Sequence, residues 1–219
     1  QEKGVAFNQG YGMTETATGV TALGSEDSLR KLGSCGKPLF HTDIRLVDTA
    51  GNDVAQGEKG EVLSKSPTVI KEYWRRPEES ANTIVAGWLH SGDIGYLDEE
   101  GYLYLVDRSK DMYISGGENV YPAEVEDVLM THTAIADAGV IGIPDEKWVE
   151  VGLAVLVKAP EADVTEEDII EYCKGKMAGY KRPRKVVFID QLPRTLTGKI
   201  LKKDLRSLYI KDGKFQVPE

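Results

Sequence analysis

The chain has 219 residues, with 27 Lys and Arg side chains against 36 Asp and Glu, and a formal net charge of −9. This acidic balance argues against a general nucleic-acid or membrane-surface binder, and the two cysteines, Cys35 and Cys173, are too few for a disulfide framework. No apolar run approaches the roughly 18 residues of a transmembrane helix, so we expect a cytoplasmic protein without a membrane segment.

Residues 1–107 predict loops and short strands. Gly and Thr are frequent in the first 35 residues, which show few apolar periods. Beyond them, strand-like runs alternate with turn signals. The runs lie at 44–47, 61–63, 87–89 and 102–106. Several short strands at this spacing are typical of a small barrel, so we expect a β-barrel-like subdomain.

The polar run Asp-Arg-Ser-Lys-Asp at 107–111 predicts the boundary between two domains. Beyond it, Pro122 suits the first position of a helix, and Thr165 with Asp168 three residues later has the pattern of a capping box. Strands are expected at 138–143, 151–157 and 185–189, and a last amphipathic helix near 200–208. These elements predict an α+β domain.

The loop Gly10-Tyr11-Gly12-Met13-Thr14-Glu15-Thr16 is the first segment that could carry chemistry. Its ring, hydroxyls and carboxylate could stack a base, hold a phosphate and hold a divalent cation. It lacks the Gly-Lys-Ser/Thr ending of a Walker loop. Taken alone, the segment is also explained as a polar turn.

Two further segments carry charged side chains near the boundary. Asp93, in Ser91-Gly92-Asp93, could accept hydrogen bonds from a vicinal diol such as ribose, or it could cap its own turn. Arg108 and Lys110 lie in the polar run, where the alternative is a solvated hinge.

The remaining segments lie in the second half. Gly116-Gly117 permits close backbone approach to a ligand, or turns the chain before a helix. Lys199, in Thr197-Gly198-Lys199, could reach a phosphate or a carboxylate, or it could be an exposed lysine beside a helix cap. Residues 174–214 hold 13 basic and 3 acidic side chains, which suggests either a specific polyanion partner or a solvated face.

In this order, the segments together resemble the motifs of the adenylate-forming superfamily, which includes acyl-CoA synthetases, firefly luciferase and peptide-synthetase adenylation domains. The motifs are Tyr-Gly-Met-Thr-Glu-Thr, Ser-Gly-Asp, Asp-Arg-Ser-Lys-Asp, Gly-Gly-Glu-Asn-Val-Tyr-Pro-Ala-Glu-Val-Glu and Pro-Arg-Thr-Leu-Thr-Gly-Lys. The resemblance spans residues 7–208 and is greatest to acyl- and fatty-acid-CoA ligases. It implies the β-barrel-like C-terminal part of an AMP-binding large domain over 1–107, a hinge at 108–110, and a small α+β lid domain over 111–219.

The resemblance also implies roles for particular residues. Tyr11, followed by Gly12, would stack on adenine, Thr14 would contact phosphate, and Glu15 would hold Mg²⁺. Asp93 would bind the ribose hydroxyls with help from Arg108. Lys110 would sit at the hinge, Gly116 and Gly117 would line the approach of a thiol, and Lys199 would meet the carboxylate and the α-phosphate.

The implied function is an ATP-dependent acid–thiol ligase that uses ATP, Mg²⁺ and coenzyme A. It would form an acyl-AMP and pyrophosphate from a carboxylic acid, and would then transfer the acyl group to CoA. An upstream phosphate loop and an acyl pocket are absent from the sequence, which begins with Gln1, so we expect a C-terminal portion that is inactive alone. The resemblance also makes Lys199 a candidate target for a lysine acetyltransferase, and exposed apolar surface would allow a homo-oligomer.

Three alternatives stay open. The chain could belong to an adenylation domain that acts on a carrier protein, or it could be a non-catalytic module that binds a nucleotide or CoA. Binding of nucleic acid by residues 174–214 is the third, and the acidic remainder of the chain argues against it.

Overall fold

The structure, a computed structural model, describes residues 6–17 and 19–217. The chain divides into two compact units between Ser109 and Lys110. In the described part of the chain, no helix is long and apolar enough to cross a membrane.

Two antiparallel sheets form most of the first unit. The smaller has the order β1-β2-β3, and the larger has the order β4-β5-β7-β6 with β8 also paired to β7. The elements are β1 (Gln9–Tyr11), β2 (Thr21–Leu23), β3 (Lys37–Pro38), β4 (Asp43–Val47), β5 (Gly60–Lys65), α1 (Pro77–Thr83), β6 (Ile84–Val85), β7 (Trp88–Leu97) and β8 (Leu103–Arg108). A 3₁₀ turn over Thr14–Thr16 follows β1.

The larger sheet of the first unit is open rather than closed. Strand β4 lies at one edge, while β6 and β8 pair with successive parts of the ten-residue strand β7. No pairing between described strands joins β4 to β6 or β8. The expectation of a barrel-like subdomain is therefore not confirmed, because two short strands share one edge of β7 and the sheet does not continue around to β4.

The second unit is a five-stranded sheet with helices on both faces. Its order is β10-β9-β12-β11, and β13 pairs parallel to β12. The elements are β9 (Tyr113–Ser115), β10 (Glu118–Val120), α2 (Pro122–Met130), β11 (Ile135–Asp145), β12 (Val149–Lys158), α3 (Glu166–Tyr172), β13 (Lys185–Phe188), α4 (Lys202–Tyr209), β14 (Ile210–Lys211) and β15 (Lys214–Phe215).

Successive side chains of β11 and β12 point alternately to the two faces of the sheet, and each face forms a hydrophobic core in this unit. One face packs Val140 and Leu156 against residues of α2 and α3, including Leu129 and Ile169. The other face packs alternate strand residues against Leu205 and Tyr209 of α4. Successive side chains of a strand point to opposite faces, so the two apolar runs give a sheet that is buried on both sides.

The predicted α+β fold is confirmed, together with several element starts. Helix α2 begins at Pro122, and Thr165 caps α3 with its side chain, which accepts from the Asp168 N–H. Strands β11 and β12 extend the predicted runs at both ends.

Candidate functional site

Asp93 is the centre of a polar cluster in the first unit. The register of β7 and β8 places Asp93 opposite Arg108, and Arg108 Nε lies 3.0 Å from Asp93 Oδ1. The Tyr11 hydroxyl donates to Asp93 Oδ2 at 2.7 Å. The Asp93 side chain is only 10% exposed, so two partners from different strands hold a buried carboxylate. Three residues singled out in the sequence thus meet at one place.

The electrostatics of the cluster keep Tyr11 a hydrogen-bond donor. Burial, and then the negative charge of Asp93, raise the pKa of the Tyr11 hydroxyl above its ordinary value. A carboxylate offers about four acceptor positions on its two oxygens. Tyr11 and Arg108 each use one of them, so Asp93 retains capacity for the hydroxyls of a ligand.

The Gly-flanked loop lines a cavity of about 750 Å³ next to this cluster. Tyr11, Gly12 and Thr14 contribute to its wall. A Cβ on Gly12 would lie 2.5 Å from the Cα of Gly19, so only glycine allows the two backbone segments to approach this closely. The volume is in the range of small-molecule sites.

Glu15 is fixed from a segment that the sequence analysis did not identify. The Tyr73 hydroxyl donates to Glu15 Oε1 at 2.8 Å, and the Ile70 N–H donates to the Glu15 carbonyl at 2.8 Å. Burial, and then the hydrogen bond to Glu15, raise the pKa of Tyr73. Tyr73 lies 58 positions after Glu15, so no local sequence pattern could predict this contact.

The carboxylate of Glu15 fits a Mg²⁺ ion that is also coordinated by the phosphates of a bound substrate. Carboxylate oxygen is a hard ligand, and Mg²⁺ is commonly held by one or two carboxylates together with substrate phosphates and water. Among the described residues there is no group of three or more His, Cys, Asp or Glu that could hold a metal by itself.

Lys110 lies between two anchored neighbours. The Ser109 N–H donates to the Gly92 carbonyl at 2.8 Å within the first unit. In the second unit, the Arg206 guanidinium binds both the carboxylate and the carbonyl oxygen of Asp111, each at 3.1 Å. Lys110 itself is exposed.

Gly116 and Gly117 form the two-residue turn between β9 and β10. Their φ angles are +62° and +88°, which matches a tight hairpin turn with two left-handed residues. A Cβ on Gly116 would lie 2.5 Å from the Trp148 ring, whereas a Cβ on Gly117 would have no neighbour within 4 Å. The two glycines are therefore needed for different reasons, and space is open beside Gly117.

Lys199 lies in a short loop before α4. The loop is closed by a bridge between Arg194 and Ile200. The Lys199 side chain is exposed, and within the described part of the chain it has no hydrogen bond or ion pair. Lys199 shares the second unit with Lys110, Gly116 and Gly117.

Comparison with known families identifies both units. A sequence model described as AMP-binding enzyme matches residues 2–74, and a model described as AMP-binding enzyme C-terminal domain matches residues 124–199. Together the two matched ranges cover more than half of the chain.

Curated relatives are acid–CoA ligases by name. A 2-succinylbenzoate–CoA ligase of Bacillus cereus is 48% identical over 207 residues, which cover 94% of this chain and 42% of the relative. A feruloyl-CoA synthase of Amycolatopsis sp is 48% identical over 208 residues, which cover 95% of this chain and 42% of the relative. The chain thus spans about two fifths of the length of these relatives.

Solved structures agree with this assignment. The o-succinylbenzoate CoA synthetase of Bacillus subtilis, in complex with the acyl-adenylate intermediate, matches with a TM-score of 0.85 and 44% identity over 99% of this chain and 43% of that one. The same synthetase with ATP and magnesium ion matches with a TM-score of 0.83 and 44% identity over 94% of this chain and 42% of that one. The chain belongs to the family of AMP-binding enzymes and carries their C-terminal domain.

Proposed function

We propose that this chain acts as the C-terminal portion of an AMP-forming acid–CoA ligase. The reaction has two steps, in which a carboxylate displaces pyrophosphate from ATP to give an acyl-AMP, and the sulfur of CoA then displaces AMP. The observation that carries the proposal is the buried Asp93 carboxylate, held by Tyr11 and Arg108 beside the cavity of the Gly-flanked loop. The names of the relatives support the same reaction class.

The first unit supplies the nucleotide contacts in this proposal. The ring of Tyr11 stacks on adenine, and Gly12 lets the nucleotide approach the backbone. Asp93 accepts from the ribose hydroxyls with the acceptor positions that Tyr11 and Arg108 leave available. Thr14, exposed at the cavity wall, donates its hydroxyl to a phosphate oxygen.

Glu15 holds the metal ion in this proposal. When bound, Mg²⁺ neutralises phosphate charge during adenylation. The hydrogen bond from Tyr73 occupies Oε1 of Glu15, which orients Oε2 for a ligand. The backbone contact with Ile70 fixes the same residue from its carbonyl side.

Lys199 supplies the positive charge for the first step. A carboxylate that attacks an α-phosphate brings two anions together, so a positioned cation between them lowers the barrier. The exposed, unpaired ammonium of Lys199 is available for this role.

The second step needs Lys199 removed and a thiol admitted. We assign the hinge to 108–110, with domains over 1–107 and 111–219, because Ser109 and Asp111 are anchored on opposite sides of Lys110. Gly116 and Gly117 then line the path of the pantetheine arm, where the open space beside Gly117 admits it. The basic stretch 174–214 provides charge for the phosphates of CoA.

The substrate class is a carboxylic acid, and aromatic acids are the first to test. Both named relatives act on acids with an aromatic ring, 2-succinylbenzoate and ferulate. Fatty acids and short aliphatic acids complete the panel.

The test is AMP release by the full-length protein with ATP, Mg²⁺ and CoA across this panel. Release that needs both one class of acid and CoA supports the proposal and names the substrate. Formation of acyl-AMP with pyrophosphate release, but without CoA-dependent release of AMP, favours a carrier-linked enzyme. Nucleotide binding without turnover favours a non-catalytic module. Acid-dependent AMP release by the 219-residue chain alone would contradict the proposal that the upstream portion is required.

Two associated proposals concern partners. Acetylation of Lys199 would remove the charge that adenylation needs, and the exposure of this side chain would allow it.

Exposed apolar side chains of the first unit, including Phe40 and Trp74, offer surface for a homo-oligomer. Sedimentation of the full-length protein tests whether it forms a homo-oligomer. Intact-mass analysis of the same protein tests whether Lys199 is acetylated.

A further inference from the structure

The loop that carries Lys199 is a closed hairpin rather than an open tether. The Thr195 N–H donates to the Lys199 carbonyl at 2.8 Å, and the Lys199 N–H donates to Thr195 Oγ1 at 3.1 Å. The Gly198 N–H donates to the Thr195 carbonyl at 2.9 Å. The backbone of Lys199 is thus tied on both sides to Thr195, while its side chain extends freely.

One guanidinium connects this hairpin to the central sheet. Arg194 Nη1 donates to the Gly198 carbonyl, and Nη2 donates to Asp137 Oδ2 at 2.5 Å. Arginine presents a rigid, planar fork of donors, so it fixes the direction between its two partners in a way that a lysine cannot. The tip of the loop is therefore linked through one side chain to β11.

The position of Asp137 is itself set by the sheet. The register of β11 against β12 shifts between Ile135 and Asp137, and such an irregularity re-aims a side chain. Asp137 Oδ1 accepts from the Ala138 N–H at 3.0 Å, which leaves Oδ2 directed at Arg194.

A second ion pair anchors the other side of the loop. Lys202 Nζ lies 2.9 Å from Glu126 Oε1, with both side chains largely buried, at 11% and 16% exposed. Glu126 Oε1 also accepts from the Val140 N–H at 2.7 Å. The start of α4 is thereby fixed to α2 and β11, and the Arg194 fork links the loop tip to β11.

We propose that Arg194, held by Asp137, is a positioning residue for Lys199. It fixes the Lys199 backbone so that the ammonium reaches the same point at each turnover, and misplacement of a reacting group by about 1 Å can cost roughly 100-fold in rate. The role assigned to Lys199 rests on the proposed function, whereas the clamp itself rests on the contacts of the second unit.

The first test measures order in the loop without any activity. In Asp137→Asn, the single amide oxygen stays on the Ala138 N–H and the amide NH₂ faces the Arg194 guanidinium, so the contact is lost at nearly constant volume. Arg194→Lys keeps the charge and loses the fork. We expect amide hydrogen exchange at 198 and 199 to rise at least tenfold in both variants of the 219-residue chain, with exchange in β11 and β12 unchanged.

The control Glu171→Gln removes an ion pair on α3 and should leave the loop unchanged. Unchanged exchange at 198 and 199 in both variants would overturn the clamp.

The second test measures its consequence in the full-length protein. We expect kcat for adenylation to fall at least tenfold in both variants, with KM for ATP and acid within twofold, and with thioester formation from supplied acyl-adenylate unchanged. Fast loop exchange with a normal adenylation rate would overturn the positioning role. Lys199→Ala is measured beside them, and normal adenylation in that variant would refute the proposed function and the positioning role, while the exchange result would still decide the clamp.

Discussion

The carboxylate of Asp93 is held by a phenol from β1 and a guanidinium from β8, although 82 residues separate it from Tyr11. The sequence identified each of the three residues separately, through motifs, but it carried no sign that Tyr11 and Asp93 touch. Local patterns report only on neighbours, and this contact depends on how two different sheets lie within one unit. Tyr73, Asp137 and Glu126 were missed for the same reason, because each acts on a distant segment.

Lys199 gives the sharpest prediction at the scale of one residue. Lys199→Ala in the full-length protein should reduce adenylation by about 100- to 1,000-fold, the usual cost of losing one electrostatic contact to the reacting group. Thioester formation from supplied acyl-adenylate should be unchanged, because the role proposed for Lys199 belongs to the first step alone. Adenylation is measured as acid-dependent pyrophosphate release, and the second step as CoA-thioester formation from supplied acyl-adenylate.

Lys203→Ala is the matched control for this variant, because Lys203 is an exposed lysine of α4 four residues away. An equal loss of both steps in Lys199→Ala would contradict the assigned role.

Asp98 predicts a pH dependence of stability in the first unit. Burial alone would raise its pKa, but the hydrogen bonds from Lys31 and from the backbone of Tyr102 and Glu100 outweigh burial and lower it. A carboxyl whose folded pKa is depressed stabilises the fold above its ordinary pKa of about 3.9, and this contribution is lost as the pH falls through the folded value.

Asp98→Asn should therefore lower the free energy of unfolding at pH 7, and the difference from the unaltered chain should shrink below about pH 4. Urea unfolding across pH 7 to pH 3 measures this. Glu99→Gln, at an exposed neighbour in the same turn, should leave the profile unchanged. A difference that does not shrink at all between pH 4 and pH 3 would assign the effect to packing.

At the scale of elements, the sequence predicted the boundaries that local side chains set, such as helix starts. It did not predict the boundaries that depend on pairing with a distant strand. Pro122 and the Thr165–Asp168 capping box gave correct helix starts, because these signals act within one turn. The predicted strand run ended at residue 89, and one interpretation of the next segment was a turn capped by Asp93, yet β7 continues to Leu97. Pairing with β5 and β8 overrides the low strand propensity of glycine in this segment. At position 95 only glycine fits, because a Cβ would lie 2.7 Å from the Tyr104 carbonyl oxygen.

The β9–β10 hairpin gives a prediction that distinguishes the two proposed half-reactions. Gly117→Trp should spare adenylation and block transfer to CoA at least tenfold, because the indole would fill the open space beside the turn. The substitution carries a backbone cost on the order of 1–2 kcal/mol for a side chain at positive φ. Coupled assays of the two half-reactions in the full-length protein measure the split.

Gly117→Ala carries the same backbone cost without the bulk, so it serves as the control. Transfer to CoA at a normal rate in Gly117→Trp would remove Gly117 from the thiol path. Equal loss of transfer in both variants would assign the effect to backbone strain.

At the scale of the whole molecule, the two units differ in their hydrophobic cores. The second unit packs both faces of its sheet into two cores, whereas the described core cluster of the first unit is centred on Leu46, Val62 and Leu103. Large apolar side chains are exposed in both units, among them Trp74 in the first and Leu196 in the second.

Limited trypsin digestion should cut the chain first at Arg108 or Lys110, because both residues are exposed at the division between the units. The product that begins near residue 111 should retain a cooperative thermal transition, because its two cores lie entirely within it. Mass spectrometry and circular dichroism of the products measure both outcomes. Earlier cleavage within β11 or β12, or a product without a transition, would contradict an independently folded second unit.

The Arg194–Asp137 contact also bears on how another protein could recognise Lys199. A modifying enzyme that reads a linear motif would accept a synthetic peptide of residues 194–200, but that peptide lacks Asp137 and so lacks the contact that links the hairpin to β11. Whatever acts on Lys199 in the native chain meets a three-dimensional epitope built from β11 and the loop. Peptide arrays would then miss this lysine as a substrate, and only the folded domain would reveal it.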